Sequence, residues 1–294
     1  MNNFGLRVGV LILPDHRWSA AAHTWVRAEQ LGFAHAWTYD HLTWRGHRDL
    51  PWFGAIPTLT AAAMATNTIA LGTLVASPNF RHPVPFAKEL ITLDDVSGGR
   101  LIAGIGAGTA GWDTAMLGAP PWGRRERTER FEEFVALTDL LLRDPCASYT
   151  GNYYTANEAR TYPGCIQQPR VPLAIAASQR RGMTLAARHG DCWVTTGSRT
   201  RPDRLDPAEG SLEIRRQIDA LEDVCEAVGR DPATLRRLVV TGPTLDSGLR
   251  SADSFAEVAG GYSAVGVTDL VVHWPRSTEP YRADLDTFEQ IFAS

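Results

Sequence analysis

The chain has 294 residues, 44% hydrophobic and 21% charged, enough to bury a large core as one barrel-sized unit or two ordinary domains. A net charge of -4 and a pI near 6.1 leave no electrostatic footprint for nucleic acid, although a basic cluster at Arg124, Arg125 and Arg127 could serve an anionic ligand. The four cysteines (Cys146, Cys165, Cys192 and Cys225) show neither C-x-x-C pairing nor metal-ligand spacing, which reads as reduced thiols, and no stretch approaches the roughly 20 apolar residues of a membrane span.

The opening "MNNFGLRVGVLILPDH" has no basic region ahead of a long apolar run, so it reads as a first strand and the expected location is the cytoplasm. "LRVGVLIL" (6–13) precedes a helical pattern with Trp25, Ala28 and Leu31 on one face and Gly32 as its stop. "FAHAWTYD" with "PTLTAAAMATN" makes a second strand–helix unit. "IALGTLVAS" with "PVPFAKELITLDDVSGG", bracketed by Pro and Gly, makes a third. "RLIAGIG" is the fourth strand, and its helix comes late, in "RRERTERFEEFVALTDLLLR", where Phe131, Phe134, Leu137 and Leu141 keep helical spacing. An irregular stretch (144–170) follows.

"VPLAIAAS" with "RRGMTLAARHG" is the fifth unit. "DCWVTTGS" opens the sixth, whose helix places Ile214, Ile218, Leu221, Cys225 and Val228 on one stripe. "RRLVVTGP" with "SFAEVAGGYSAVG", and "VTDLVVHW" with "PYRADLDTFEQIFA", complete the series. Continuous apolar strands alternating with helices imply parallel pairing buried on both faces. Eight such units in this length predict a (β/α)8 TIM barrel spanning 1–294 as a single domain.

The stretch "GAGTAG" (Gly106 to Gly111) has dinucleotide-loop spacing, but it leads into "WDTAMLGAPPWG", read as a loop, and no acidic strand end follows about 20 residues later. Its glycines instead let backbone approach a ligand closely at the catalytic face of the barrel.

In such a barrel the residues just past each strand converge on one site. Here they are Pro14, Asp15 and His16; Tyr39, Asp40 and His41; Ala76 and Ser77; Ala107, Gly108 and Thr109; Ser178 to Arg180; Thr195, Thr196 and Gly197; Thr241 and Gly242; and His273 and Trp274. The first strand lacks H-x-H, and strands four to six carry no carboxylate cluster, which argues against a metal-dependent hydrolase. Trp44, Trp52, Trp112 and Trp122 fall in loops that could wall an apolar substrate pocket, although each alone is equally well explained by packing.

"TYDHL", "LGTLVASPNFRHP", "GGRLIAGIGAG" and "GDCWVTTGS" resemble the luciferase-like monooxygenase superfamily, within it the branch using the deazaflavin coenzyme F420, over nearly the whole chain. "GVTDLVVHWPR" is similar to a closing segment of actinobacterial members. The resemblance implies a ring site over a bulge in the third strand with a non-prolyl cis peptide at Leu74-Val75. Asp40, His41 and Ser77, with Gly108, Thr109 and Thr196, would line the cofactor. It implies a phosphate site at Ala177, Ser178 and Gln179 with Arg180 as counter-charge, for which plain helix capping by Ser178 is the alternative. Ser178 and Gln179 stand where the family often has glycine. Thr109 stands where F420 sugar-phosphate dehydrogenases carry an acidic proton donor, which argues against that specific reaction.

The function so implied is hydride transfer between the deazaflavin C5 and an organic substrate, with reduction of a C=C or C=N bond expected in actinobacterial metabolism. His41 held by Asp40 is the candidate proton donor, and His16 is the second. The alternatives are a monooxygenase using reduced FMN and a catalytically silent flavin-binding barrel. A small-molecule or peptide substrate is the expected partner, with no nucleic acid, membrane or metal, and a homodimer is compatible with these features.

Overall fold

The computed structural model describes residues 5–44, 47–109, 111–198 and 204–293. The apolar runs form strands β1 (Arg7–Leu11), β2 (His35–Thr38), β3 (Ala70–Thr73) and β4 (Leu101–Gly106). After an antiparallel hairpin, β5 (Cys146–Thr150) and β6 (Thr155–Arg160), come β7 (Leu173–Ala176), β8 (Cys192–Thr195), β9 (Arg236–Val240) and β10 (Asp269–His273). Outside the hairpin the strands close in the order β1-β10-β9-β8-β7-β4-β3-β2, with every neighbouring pair parallel. Around them lie α1 (Trp18–Gln30), α2 (Ala55–Ala65), α3 (Pro83–Ser97), α4 (Trp112–Met116), α5 (Arg124–Arg143), α6 (Arg180–His189), α7 (Pro207–Ala227), α8 (Ala252–Ala264) and α9 (Leu285–Phe292). This is the (β/α)8 barrel that the alternating pattern predicts.

Two segments differ from the sequence reading. The stretch 144–170 contains the β5–β6 hairpin, whose faces are mostly exposed and so carry no apolar signature. Its turn is held from outside, because Glu133 on α5 accepts from the backbone N–H of Asn152, Tyr153 and Tyr154 at 2.8–3.1 Å. The supposed loop after "GAGTAG" contains the short helix α4, in which Thr114 bonds back to the Gly111 carbonyl.

Strand side chains alternate with period two, so one set from each strand fills the lumen and the other packs on the helices. On β2 the inward column is His35, Trp37 and then Tyr39; on β10 it is Asp269, Val271 and His273. The contacts bear this out: His35 Nε2 lies 2.9 Å from Asp269 Oδ1 at the bottom of the barrel, and Tyr39 Oη lies 2.8 Å from His273 Nε2 at the top. Large lumen groups fit because glycine faces them. A Cβ on Gly9 would come within 1.8 Å of the His35 ring, and one on Gly72 within 2.4 Å of Trp37.

The register of β3 against β4 contains the bulge that shapes the site. Leu71 pairs with Leu101 and Gly72 with Ile102, but Ala76 pairs with Ile105, so β3 has one residue more than β4 over this interval. The Leu74-Val75 peptide within it is cis. Thr73 and Ala76 both reach the Gly104 carbonyl at 2.8 Å. A Cβ on Gly104 would sit 1.8 Å from the Thr73 carbonyl oxygen, and one on Gly106 2.6 Å from Val75, so these glycines serve the bulge.

Candidate active site

The end of β2 presents Tyr39, Asp40 and His41 in succession, and each engages a different neighbour. Asp40, only 1% exposed, is gripped by Arg81: Nη2 donates to Oδ1 at 2.8 Å and Nε to Oδ2. Arg81 also donates to Glu89 at 2.7 Å and lies against the rings of Phe80 and Phe86. Burial disfavours the guanidinium, but Asp40 and Glu89 more than offset this and raise its pKa. Asp40 therefore does not orient His41. That part of the sequence reading is corrected, because neighbouring residues on an extended strand point in opposite directions.

The partner of His41 is Asp113, in the first turn of α4. His41 Nδ1 lies 2.7 Å from Asp113 Oδ2, and Asp113 Oδ1 accepts the Leu42 backbone N–H at 2.8 Å. One carboxylate thus fixes both the ring and the backbone beside it. The Asp113 side chain is buried whereas that of His41 is 24% exposed, and among the described residues no protein group bonds His41 Nε2. A carboxylate at one imidazole nitrogen sets the tautomer and leaves the other for substrate.

Tyr39 belongs to an aromatic cluster at the barrel mouth. Its hydroxyl lies 2.8 Å from His273 Nε2 and 3.0 Å from Tyr281 Oη, and the rings of His273 and Tyr281 stack at 3.4 Å. Burial lowers the His273 pKa to about 3, which keeps the ring neutral at ordinary pH and excludes it as an imidazolium acid. Trp44 is buried in the same cluster, 5.1 Å from Tyr39 and 5.5 Å from Trp52, and Trp52 Nε1 donates to the His41 carbonyl at 3.0 Å.

Trp52 and Trp112 line a cavity of about 360 Å³ with Leu42, Thr43 and Arg48. Trp122 does not join them. It is covered by the Arg130 guanidinium, which also lies over Tyr153, so its role as a pocket wall is corrected to packing on α5. His16 also stands apart: its side chain is 68% exposed and bonded to Asp15, which in turn pairs with Arg276.

Beside the bulge, Ser77 is 2% exposed and its hydroxyl has no partner. Asn79 donates to the Thr109 carbonyl at 2.8 Å, while its own carbonyl oxygen has no partner. Gly108, at φ +69°, meets that amide so closely that a Cβ would lie 2.6 Å away. Buried polar atoms without partners are uncommon in proteins; Ser77 and Asn79 put two of them just past β3, while Thr138 and Tyr262 carry others on α5 and α8.

Across the mouth, α6 begins after Gln179, and no side chain caps its first turn. Helix capping by Ser178 is therefore excluded. The Ala177 N–H is already given to the Val194 carbonyl at 3.1 Å, which removes it from the expected phosphate donors. Ser178, Gln179 and Arg180 are exposed, and Arg180 forms no ion pair among the described residues. Thr196, half-buried, uses its carbonyl to accept from Thr244.

The family model of the luciferase-like monooxygenases matches residues 6–253. The chain belongs to this family. Among its relatives in the luciferase-like family is the F420-dependent glucose-6-phosphate dehydrogenase of Beutenbergia cavernae, 32% identical over 86% of this chain and 87% of that protein. Another is the F420-dependent hydroxymycolic acid dehydrogenase of Mycobacterium tuberculosis, 29% identical over 91% of this chain and 69% of that one. An F420-dependent secondary alcohol dehydrogenase, solved with an F420-acetone adduct, shares the luciferase-like fold with a TM-score of 0.78 at 19% identity, over 97% of this chain and 98% of that one.

Four site residues escaped the sequence reading. Asn79, Arg81 and Asp113 stood inside quoted motifs without a role, and Tyr281 was not singled out. An acidic residue past the second strand and a basic one past the third was the available signal for Arg81. Nothing local announced the pairing of His41 with Asp113.

Proposed function

We propose that this protein is an F420-dependent oxidoreductase that moves hydride between the deazaflavin and a small organic substrate, reducing a polarised C=C or C=N bond. The observation that carries this reading is the juxtaposition of a half-open His41, oriented by Asp113, with the β3 bulge and its partnerless Ser77 hydroxyl, on adjacent strands. The F420 dependence named for relatives of the family supports it.

The residues present fit the cofactor. Ser77 Oγ and Asn79 Oδ1 are buried polar atoms that a bound heterocycle or its side chain would satisfy, and the uncapped start of α6 with Arg180 suits a phosphate. F420 supplies the hydride chemistry when bound. The protein supplies position and protons. The bulge at Leu74 and Val75 forms the backing surface, the Asp40–Arg81 pair locks the end of β2, and Trp44 and Trp52 keep water from the mouth. As the imidazolium, with Nδ1–H on the Asp113 carboxylate, His41 would offer the substrate a proton at Nε2, and Asp113 keeps the ring aimed. Thr109 offers no acidic group where sugar-phosphate dehydrogenases of the family carry one, which supports a substrate other than a sugar phosphate.

Fluorescence titration with F420 and with FMN tests the reading. F420 should bind in the micromolar range or tighter, and FMN at least tenfold more weakly, a gap of about 1.4 kcal/mol. Equal or preferred FMN binding overturns it.

A further inference from the structure

We infer that the cavity between the β2 loop and α4 receives a flat, conjugated organic anion, with its apolar body against Trp52 and Trp112 and its anionic group at Arg48. The inference rests on the reading of His41 and Asp113 as the reacting site and adds the substrate class. The cavity adjoins that pair through two shared residues. Leu42 lines it and bonds Asp113 through its backbone, and Trp52 lines it and bonds the His41 carbonyl.

Its volume, about 360 Å³, lies near the low end of small-molecule sites, which suits a single ring system with a short chain. Leu42, Leu50, Ala115, Met116 and the two indoles supply the apolar part of its lining, and Thr43, Arg48 and Asp49 the polar part. Two of the polar groups have no hydrogen-bond or ion-pair partner among the described residues. The Arg48 guanidinium lies 4.3 Å from the centre of the Trp112 ring and forms no ion pair among the described residues. Held over an indole ring, a guanidinium keeps N–H donors available for a planar carboxylate. Thr43 lines the cavity at 8% exposure, and its hydroxyl is buried with no hydrogen-bond partner among the described residues. A side-chain rotation toward the cavity would let a ligand oxygen satisfy it. Asp49 also borders the cavity and works against an anion, so the anionic group belongs on the Trp112 side, where Arg48 lies.

Cinnamate and its uncharged counterpart cinnamamide serve as probes in ligand-observed NMR, with F420 binding measured separately on the same samples. Wild type should bind cinnamate about tenfold more tightly than cinnamamide, the worth of one charge-assisted hydrogen bond. Arg48→Gln should abolish that preference, Thr43→Val should weaken both probes, and Asp49→Asn should tighten cinnamate alone. Arg48 and Asp49 are exposed, so these variants should fold, which circular dichroism checks. Equal binding of the two probes to wild type, or a preference that survives Arg48→Gln, overturns the inference. If F420 binds while the probes show no preference, the inference fails and the cofactor reading stands; the reverse pattern overturns the cofactor reading alone.

Discussion

His41 and Asp113 lie 72 residues apart in sequence and meet at 2.7 Å, one at the end of β2 and the other in the first turn of α4. If this pair delivers the proton, His41→Ala should lower turnover about 10²–10⁴-fold while F420 affinity stays within several-fold. Asp113→Asn, which keeps the shape but weakens the hold on the ring, should cost about 10–100-fold. Single-turnover oxidation of the reduced cofactor separates binding from chemistry. A normal rate in His41→Ala would leave the proton to water or another group.

Arg180 should matter for the cofactor and not for the fold. It is exposed at the first position of α6, which no side chain caps. Arg180→Ala should weaken F420 binding by about 1.5–3 kcal/mol through loss of a charge-assisted phosphate contact. The denaturation midpoint should not move. Unchanged affinity would shift the phosphate elsewhere, with Arg124 and Arg125 the next candidates.

The legibility of this chain followed the range of its interactions. Parallel strands buried on both faces read as apolar runs whatever they touch, so all eight barrel strands could be found without knowing their partners. The β5–β6 hairpin could not, because only a few of its residues, such as Ala147 and Ala156, are buried and its turn is held from outside by Glu133 on α5. The same division holds in the site. Strand-end residues such as His41, Ser77 and His273 are placed by topology, but whether Asp40 turns to His41 or to Arg81 depends on a neighbouring loop. Glycines gave an ambiguous signal. Gly104 and Gly106 are needed by the bulge and Gly108 by Asn79, a fact that spacing alone leaves indistinguishable from a nucleotide loop.

Gly104 gives the sharpest test of the bulge. An added Cβ would meet the Thr73 carbonyl oxygen, a backbone atom that cannot swing aside. Gly104→Ala should therefore cost about 3 kcal/mol or more, at the upper end of overpacking effects. Gly123, whose Cβ would meet nothing within 4 Å, is the control, and Gly123→Ala should lie within about 0.5 kcal/mol of wild type. Urea denaturation monitored by tryptophan fluorescence measures both. A mild effect at Gly104 would mean that β3 can relax its approach to β4.

Glu29 fastens α1 to the turn between α2 and β3. Its Oε1 accepts from the backbone N–H of Asn67, Thr68 and Ile69 at 2.6–3.0 Å. Burial pushes its pKa up, but the N–H donors of Thr68, Ile69 and Asn67 together prevail and lower it from 4.5 to about 2. A carboxylate whose pKa is lower folded than unfolded stabilises the protein above the unfolded value, and this contribution fades as pH falls through the folded value. Glu29→Gln keeps an acceptor oxygen but loses the charge, so it should cost about 1–2 kcal/mol at pH 7. The gap to wild type should begin to narrow near pH 4.5 and be largely closed near pH 2, since the protonated wild type then resembles the amide. Other carboxylates titrate in the same range, but they are common to both proteins and cancel in the difference. Denaturation curves of the two proteins across this window decide the matter. A gap that stays constant from neutral pH down to the acid limit would mean that the charge on Glu29 contributes nothing and that the turn is held by geometry alone.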